Sequence, residues 1–171
     1  MKTLLIVDLQ KEFRDDFGEY ERCLEYIREN RDSYERIVAT VFCQDKANPN
    51  FVRNLNWTKC MNCDETSLEF DLNGVTVVIK NGYGLPPGMF SPKDEITVIG
   101  CNADACVLAI SYGLWDDGLS FRILTDYVYT TSHEYMVRDI IPIYKRNFGE
   151  KCLMVEGAKN GLFDRLRRLF R

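Results

Sequence analysis

Apolar positions in this chain gather in short continuous runs: TLLIVD (3–8), RIVATVF (36–42), VTVVIK (75–80), EITVIG (95–100), SFRILTD (120–126) and CLMVEG (152–157). Strands covered on both faces read this way, whereas half-solvated strands alternate. Between the runs, apolar residues recur at helical spacing over about 18–33, 105–117 and 132–147. Strands alternating with helices predict an α/β fold: a single-domain parallel sheet of about six strands, Rossmann-like, with helices on both faces and right-handed crossovers. The exception is 44–74, a long connection with weak periodicity that holds DKANPN, Trp57 and a Cys60-x-x-Cys63 pair. Loops of that length are usually functional or contain a short helix.

A chain of 171 residues fits one domain spanning 1–171. Its formal net charge of −4 gives no general field for phosphate backbones, so nucleic acid is not an expected partner. The tail, KNGLFDRLRRLFR (residues 159–171 of a basic amphipathic helix predicted over 158–171), sets an apolar stripe beside basic residues. It reads as a last helix docked on the sheet or on a partner rather than as a membrane anchor. No signal peptide is evident in MKTLLIVDLQ, and seven cysteines are an odd number, so a cytoplasmic protein with free thiols is expected. Cys60 and Cys63 lack a second pair to complete a zinc site, and His133 is the one histidine. That leaves two thiols in a loop. His133 follows Ser132, a good N-cap residue, and reads as a structural or solvated group in a first helical turn.

Ligands of an open parallel sheet bind beyond the carboxyl ends of its strands. The polar residues there are Asp8 after the first run, Gln44 and Asp45 after the second, Lys80 ending the third, Cys106 opening the helix after the fourth, and Asp126 ending the fifth. Each has a bland reading: a turn cap, a solvated strand end, a packed thiol. Together they offer a nucleophile, a proton carrier and a fixed positive charge. A helix N-terminus and a neighbouring ammonium both favour a thiolate at Cys106.

The segments VDLQKEF, VIKNGYG and VIGCNADACVLAIS, in that order and at strand ends, resemble those of the isochorismatase-like cysteine hydrolases. The resemblance runs from Met1 to about Gly157 and implies the family's three-layer α/β sandwich. It implies a catalytic triad of Asp8, Lys80 and Cys106. It also implies a non-proline cis peptide at Cys101–Asn102, with the backbone N–H groups of Asn102 and Cys106 as an oxyanion hole. The reaction implied is hydrolysis of a small-molecule amide or ureido carbon–nitrogen bond through a Cys106 thioester, without a cofactor, in a homo-oligomer. Aromatic wall candidates for the substrate site are Phe13, Trp57, Tyr83 and Phe90.

Two departures stand out. Family members that bind a metal use an Asp-x-His after the second strand and a further histidine, but Asp45 is followed two residues on by Ala47, so no metal is expected. The stretch after Lys80, NGYGLPPGMF, also differs from the family's usual Ser, Phe and Thr. These departures keep an alternative open: a catalytically inactive member of the fold serving as a binding or assembly protein. A dinucleotide-binding protein is disfavoured, since no GxGxxG follows the first strand.

Overall fold

The first strand, β1 (Lys2–Val7), carries Leu4, Leu5, Ile6 and Val7, all without solvent exposure. Because neighbouring side chains of a strand point to opposite faces, Leu4 and Ile6 join one core cluster and Leu5 and Val7 join another. Burying each such side chain is worth roughly 1.5–3 kcal/mol. A continuous apolar run therefore forces β1 into the middle of the sheet.

The computed structural model describes residues 1–155. Its strands are β1, β2 (Arg36–Phe42), β3 (Val75–Lys80), β4 (Glu95–Cys101), β5 (Ser120–Tyr129) and β6 (Leu153–Met154). They form one sheet in the order β3-β2-β1-β4-β5-β6. Every pairing is parallel. The helices are α1 (Glu19–Asn30), α2 (Asn50–Leu55), α3 (Cys106–Asp116) and α4 (Val137–Phe148). Tyr20, Cys23, Tyr26 and Ile27 of α1 cover one face with Leu4, Ile6, Ala39 and Ile99. Val107, Ile110 and Leu114 of α3, with Ile140, Tyr144 and Phe148 of α4, cover the other with Leu5, Val7, Val98 and Ile123. The predicted α/β sheet with helices on both faces is the observed one.

Chain direction across the sheet reverses between β1 and β4, so a crevice opens beyond their carboxyl ends. Gly100 shapes it. At φ +113° its backbone passes so close to β1 that a Cβ would stand 2.1 Å from the Val7 carbonyl oxygen. Only glycine fits there.

Three boundaries differ from the sequence reading. The connection over 44–74 contains the short helix α2, whose six residues are too few for a periodic signal. Strand β5 does not end at Asp126 but runs on to Tyr129, through a register shift against β4 between Val98 and Gly100. The segment after it starts helix α4 at Val137, capped by the Asp139 carboxylate on the Met136 N–H at 2.9 Å, so Ser132 is not an N-cap. Among the described residues no helix is long and apolar enough to cross a membrane. The helix predicted over 158–171, and the end of the 152–157 run, lie outside the described residues.

Candidate active site

Lys80 ends β3, and in the strand order β2 lies between it and β1. Adjacent strands are about 4.8 Å apart, so a group on β3 must span roughly twice that to meet one on β1. Lysine is long enough. Its Nζ passes 5.2 Å from the centre of the Phe42 ring at the end of β2 and reaches Asp8 Oδ2 at 2.8 Å. The same ammonium donates to Cys106 Sγ at 3.3 Å and to the Gly82 carbonyl at 2.8 Å. Both Asp8 and Lys80 are buried, at 0% and 5% exposure, so this pair is little screened by solvent.

Asp8 takes a left-handed backbone, φ 45°, just past β1. Aspartate tolerates this region better than most residues. Thr40, in the middle of β2 and wholly buried, accepts the Asp8 N–H at 2.9 Å and donates to Asp8 Oδ1 at 2.6 Å. Two residues on, the Gln10 amide closes against β2 by accepting from the Phe42 N–H at 2.6 Å and donating to the Phe42 carbonyl at 3.1 Å.

Cys106 is the first residue of α3, where a helix leaves its N–H groups without intrahelical partners. The Cys101–Asn102 peptide bond is cis. The Asn102 carbonyl accepts from Ala105 and Val107, and its side-chain oxygen accepts from the Thr131 N–H at 2.8 Å, which ties the platform to the loop after β5. Asp104 strengthens that tie, accepting from Thr130 Oγ1 and the Tyr135 hydroxyl at 2.6 Å each.

The charge state of Cys106 departs from the sequence expectation. Burial pushes its thiol up most strongly and the Asp8 carboxylate pushes the same way, while the Lys80 ammonium opposes both without prevailing. Burial and the neighbouring carboxylate thus favour the thiol over the thiolate. Burial pulls the Lys80 ammonium down, but Asp8 and Cys106 outweigh it and hold it above its ordinary value.

A cavity of about 710 Å³ opens over Cys106 and Asn102. Phe13, Trp57 and Tyr83 line it, with Phe13 and Trp57 stacked at 6.0 Å and 5°. Phe51 of α2 joins this wall, 5.1 Å from Tyr83 and 6.0 Å from Trp57. Phe90 does not. It packs beneath the second core cluster with the Arg36 guanidinium 5.3 Å over its ring, at the opposite end of β2. The loop NGYG lies at the site, whereas PPGMF runs on to the start of β2, where the Met89 carbonyl accepts from Arg36, and this carries Phe90 away. His133 does not sit in a first helical turn, since α4 starts at Val137; it is exposed and lines the cavity. Asp126 is half-buried within β5 and is not part of the wall.

Gln44 fixes the Trp57 segment. Its backbone N–H donates to the Cys60 carbonyl at 2.7 Å and its amide to the Trp57 and Lys59 carbonyls at 3.1 and 2.5 Å. Cys60 and Cys63 close the turn beyond it, their thiols in contact and both pushed up by burial. Asp45 is exposed and already accepts from the Ala47 and Asn48 N–H groups and from Asn81 at 2.8 Å. Among the described residues no cluster of three His, Cys, Asp or Glu side chains could hold a metal ion. The donor set does not fit a metal, because Asp45 is committed to its own turn.

Compared by sequence, the chain matches no family model and no curated protein. Compared by structure, it superposes on the nicotinamidase of Bacillus subtilis with a TM-score of 0.68 at 15% identity, covering 86% of this chain and 96% of that one. The N-carbamoylsarcosine amidase of Thermoplasma acidophilum gives 0.68 at 17%, covering 90% and 94%. An isochorismatase-like hydrolase of Alkaliphilus metalliredigens gives 0.65 at 13%, covering 99% of both. The fold is the isochorismatase-like α/β fold.

Proposed function

We propose that the chain is an isochorismatase-like cysteine hydrolase that cleaves a small amide or ureido carbon–nitrogen bond through a thioester on Cys106. The observation that carries this reading is the convergence of Asp8, Lys80 and Cys106, from three separate strand ends, beneath an aromatic-walled cavity. The amidase names of two structural neighbours agree with it.

The chemistry follows from the protonation states. Cys106 starts as a thiol, so Asp8 takes its proton as sulfur attacks the carbonyl carbon. The N–H groups of Asn102 and Cys106 hold the oxygen that becomes negative. Asp8 returns the proton to the nitrogen, the carbon–nitrogen bond breaks, and ammonia or an amine leaves a thioester. Water then loses a proton to Asp8 and attacks that carbon. The carbon–sulfur bond breaks, sulfur recovers the proton, and the acid departs. Lys80 stays an ammonium throughout, holding carboxylate and sulfur in one place.

A non-catalytic binding protein has no need of a buried carboxylate beside a thiol, and Asp8 occupies that place. The test is a panel of primary amides and N-carbamoyl compounds, with acid-quenched intact mass spectrometry. The expected result is product release with a mass increment on Cys106 equal to the acyl group, both abolished in Cys106→Ala. Undiminished turnover by a folded Cys106→Ala protein overturns the reading.

A further inference from the structure

Thr40 makes two hydrogen bonds to a single residue, and their directions are not interchangeable. An amide N–H can only donate, so the Asp8 N–H places its proton on Thr40 Oγ1, 2.9 Å away. The hydroxyl's own proton is then free for Asp8 Oδ1, 2.6 Å away. Oδ1 is thereby held as an acceptor. The other oxygen, Oδ2, is buried and has the Lys80 ammonium at 2.8 Å as its partner.

We propose that Thr40 is a positioning residue of the site: by closing a ring on Asp8 it commits Oδ1 and leaves Oδ2 as the atom that carries the proton between Cys106 and the leaving group. This deepens the hydrolase reading and rests on it. The ring does a second job. It supplies the acceptor for the N–H of a residue whose left-handed backbone, φ 45°, turns the carboxylate back over the end of β1. A hydrophobic residue at 40 would fill the same volume between β1 and β3 but leave a buried N–H and one carboxylate oxygen unpaired. Packing thus gives no reason for a hydroxyl here, since the neighbours Val38, Ala39, Val41 and Phe42 are all apolar and buried.

The test needs no substrate. Native wild-type protein, Thr40→Val, Thr40→Ser and Asp8→Asn are alkylated with iodoacetamide from pH 5 to 10, and modification of Cys106 is followed by mass spectrometry. Thr40→Val keeps the shape and loses the hydroxyl. With its donor gone, the Asp8 charge acts more strongly on the neighbouring thiol, and the Cys106 profile moves to higher pH by about half a unit or more, about threefold slower at a fixed pH. Thr40→Ser loses a buried methyl and keeps the hydroxyl, so it keeps the wild-type profile although it melts earlier. Asp8→Asn moves the profile to lower pH. A packing role predicts the reverse order, with Val like wild type and Ser perturbed. If Asp8→Asn shifts the profile but Thr40→Val does not, or Thr40→Ser shifts as far as Val, the assignment of Thr40 is overturned while the triad stands. If Asp8→Asn shifts nothing, the coupling of Asp8 to Cys106 and the hydrolase reading both fall. Should Thr40→Val not fold, Thr40→Ala is read by the same criterion.

Discussion

Nζ of Lys80 lies 3.3 Å from Sγ of Cys106, and yet burial and the Asp8 carboxylate push the thiol up against it. An ammonium at that distance ordinarily favours a thiolate. Here the thiol itself is buried, which penalises the charged sulfur, and the ammonium is shared with the Asp8 carboxylate 2.8 Å away. Lys80 balances Asp8 first and Cys106 second. On the proposed mechanism, deprotonation is thereby reserved for the moment of attack, when the developing negative charge passes to a substrate oxygen.

Removing Lys80 tests that balance. Lys80→Met keeps much of the apolar stem over Phe42 and deletes the charge. Of the influences on Cys106, Lys80 is the one charged neighbour that lowers it, so the iodoacetamide profile moves further up in pH. The expected rate at pH 8 is at least tenfold below wild type, the size of one pH unit. A faster-reacting Cys106 in this variant would mean that the ammonium does not face the sulfur.

Alkaline stability follows from the same shifts. Cys23, Cys101 and Cys106 are buried thiols raised above their ordinary value, and Lys80 is raised as well. In each case the folded chain holds a proton that the unfolded chain releases at lower pH. Stability from these groups is complete below the unfolded thiol value of about 8.5 and declines as pH rises through the folded values. Thermal melts from pH 6 to 10.5 should show a Tm that does not decline on their account up to about pH 8.5 and falls steadily above it. A Tm still level at pH 10.5 contradicts the burial of these groups.

Trp57 and Phe90 separate the real wall from the expected one. Trp57→Ala removes one partner of the stacked pair with Phe13, and planar amides lose a contact worth about 0.5–1.5 kcal/mol, roughly a two- to thirteenfold rise in KM with Cys106 alkylation unchanged. Phe90→Ala leaves KM untouched and lowers the melting temperature, because that ring lies under Arg36 far from the cavity. Equal KM effects from the two would place Phe90 in the site after all.

Much of this was legible in the sequence because apolar runs mark strands: the run 36–42 has the bounds of the buried strand β2, and the run 75–80 those of β3, although β3 is the sheet's half-exposed edge. The end of each run then placed Asp8, Lys80 and Cys106 in one crevice. Thr40 was missed although it carried a signal, a hydroxyl inside IVATVF where every neighbour is apolar. A buried polar group on a central strand must bond to something, and here that is Asp8. Phe51 and His133 had no such signal. The first sits on a helix of six residues, and the second was displaced by the true start of α4 at Val137, both fixed by tertiary contacts. The direction of the Cys106 shift was missed for a related reason: helix position and a nearby lysine can be read from sequence, but burial and a shared counter-charge cannot.

Gly100 offers the strictest test of the platform. Its Cβ-free backbone lies against β1, with Val7 O 2.1 Å and Val7 N 2.8 Å from where a methyl would be. Those are backbone atoms of a strand paired on both sides, so they cannot give way as a side chain would. Gly100→Ala must therefore separate β1 from β4 at their carboxyl ends, and at φ +113° the alanine is strained even if they part. Overpacking alone costs typically 1–3 kcal/mol, and the backbone conformation adds to it. The measurement is urea unfolding, with an expected loss of about 3 kcal/mol or more. The displacement also reaches Asp8 from one side and Cys101 from the other, so protein that still folds should show its Cys106 alkylation profile uncoupled from Asp8→Asn. Gly74 is the control, since a Cβ there meets nothing within 4 Å. Gly74→Ala should bear only the cost of its positive φ, about 1 kcal/mol, and leave Cys106 as it was. If both alanines cost the same and Cys106 stays coupled to Asp8 in each, the close approach of β4 to Val7 is not what holds the Cys106 platform in place.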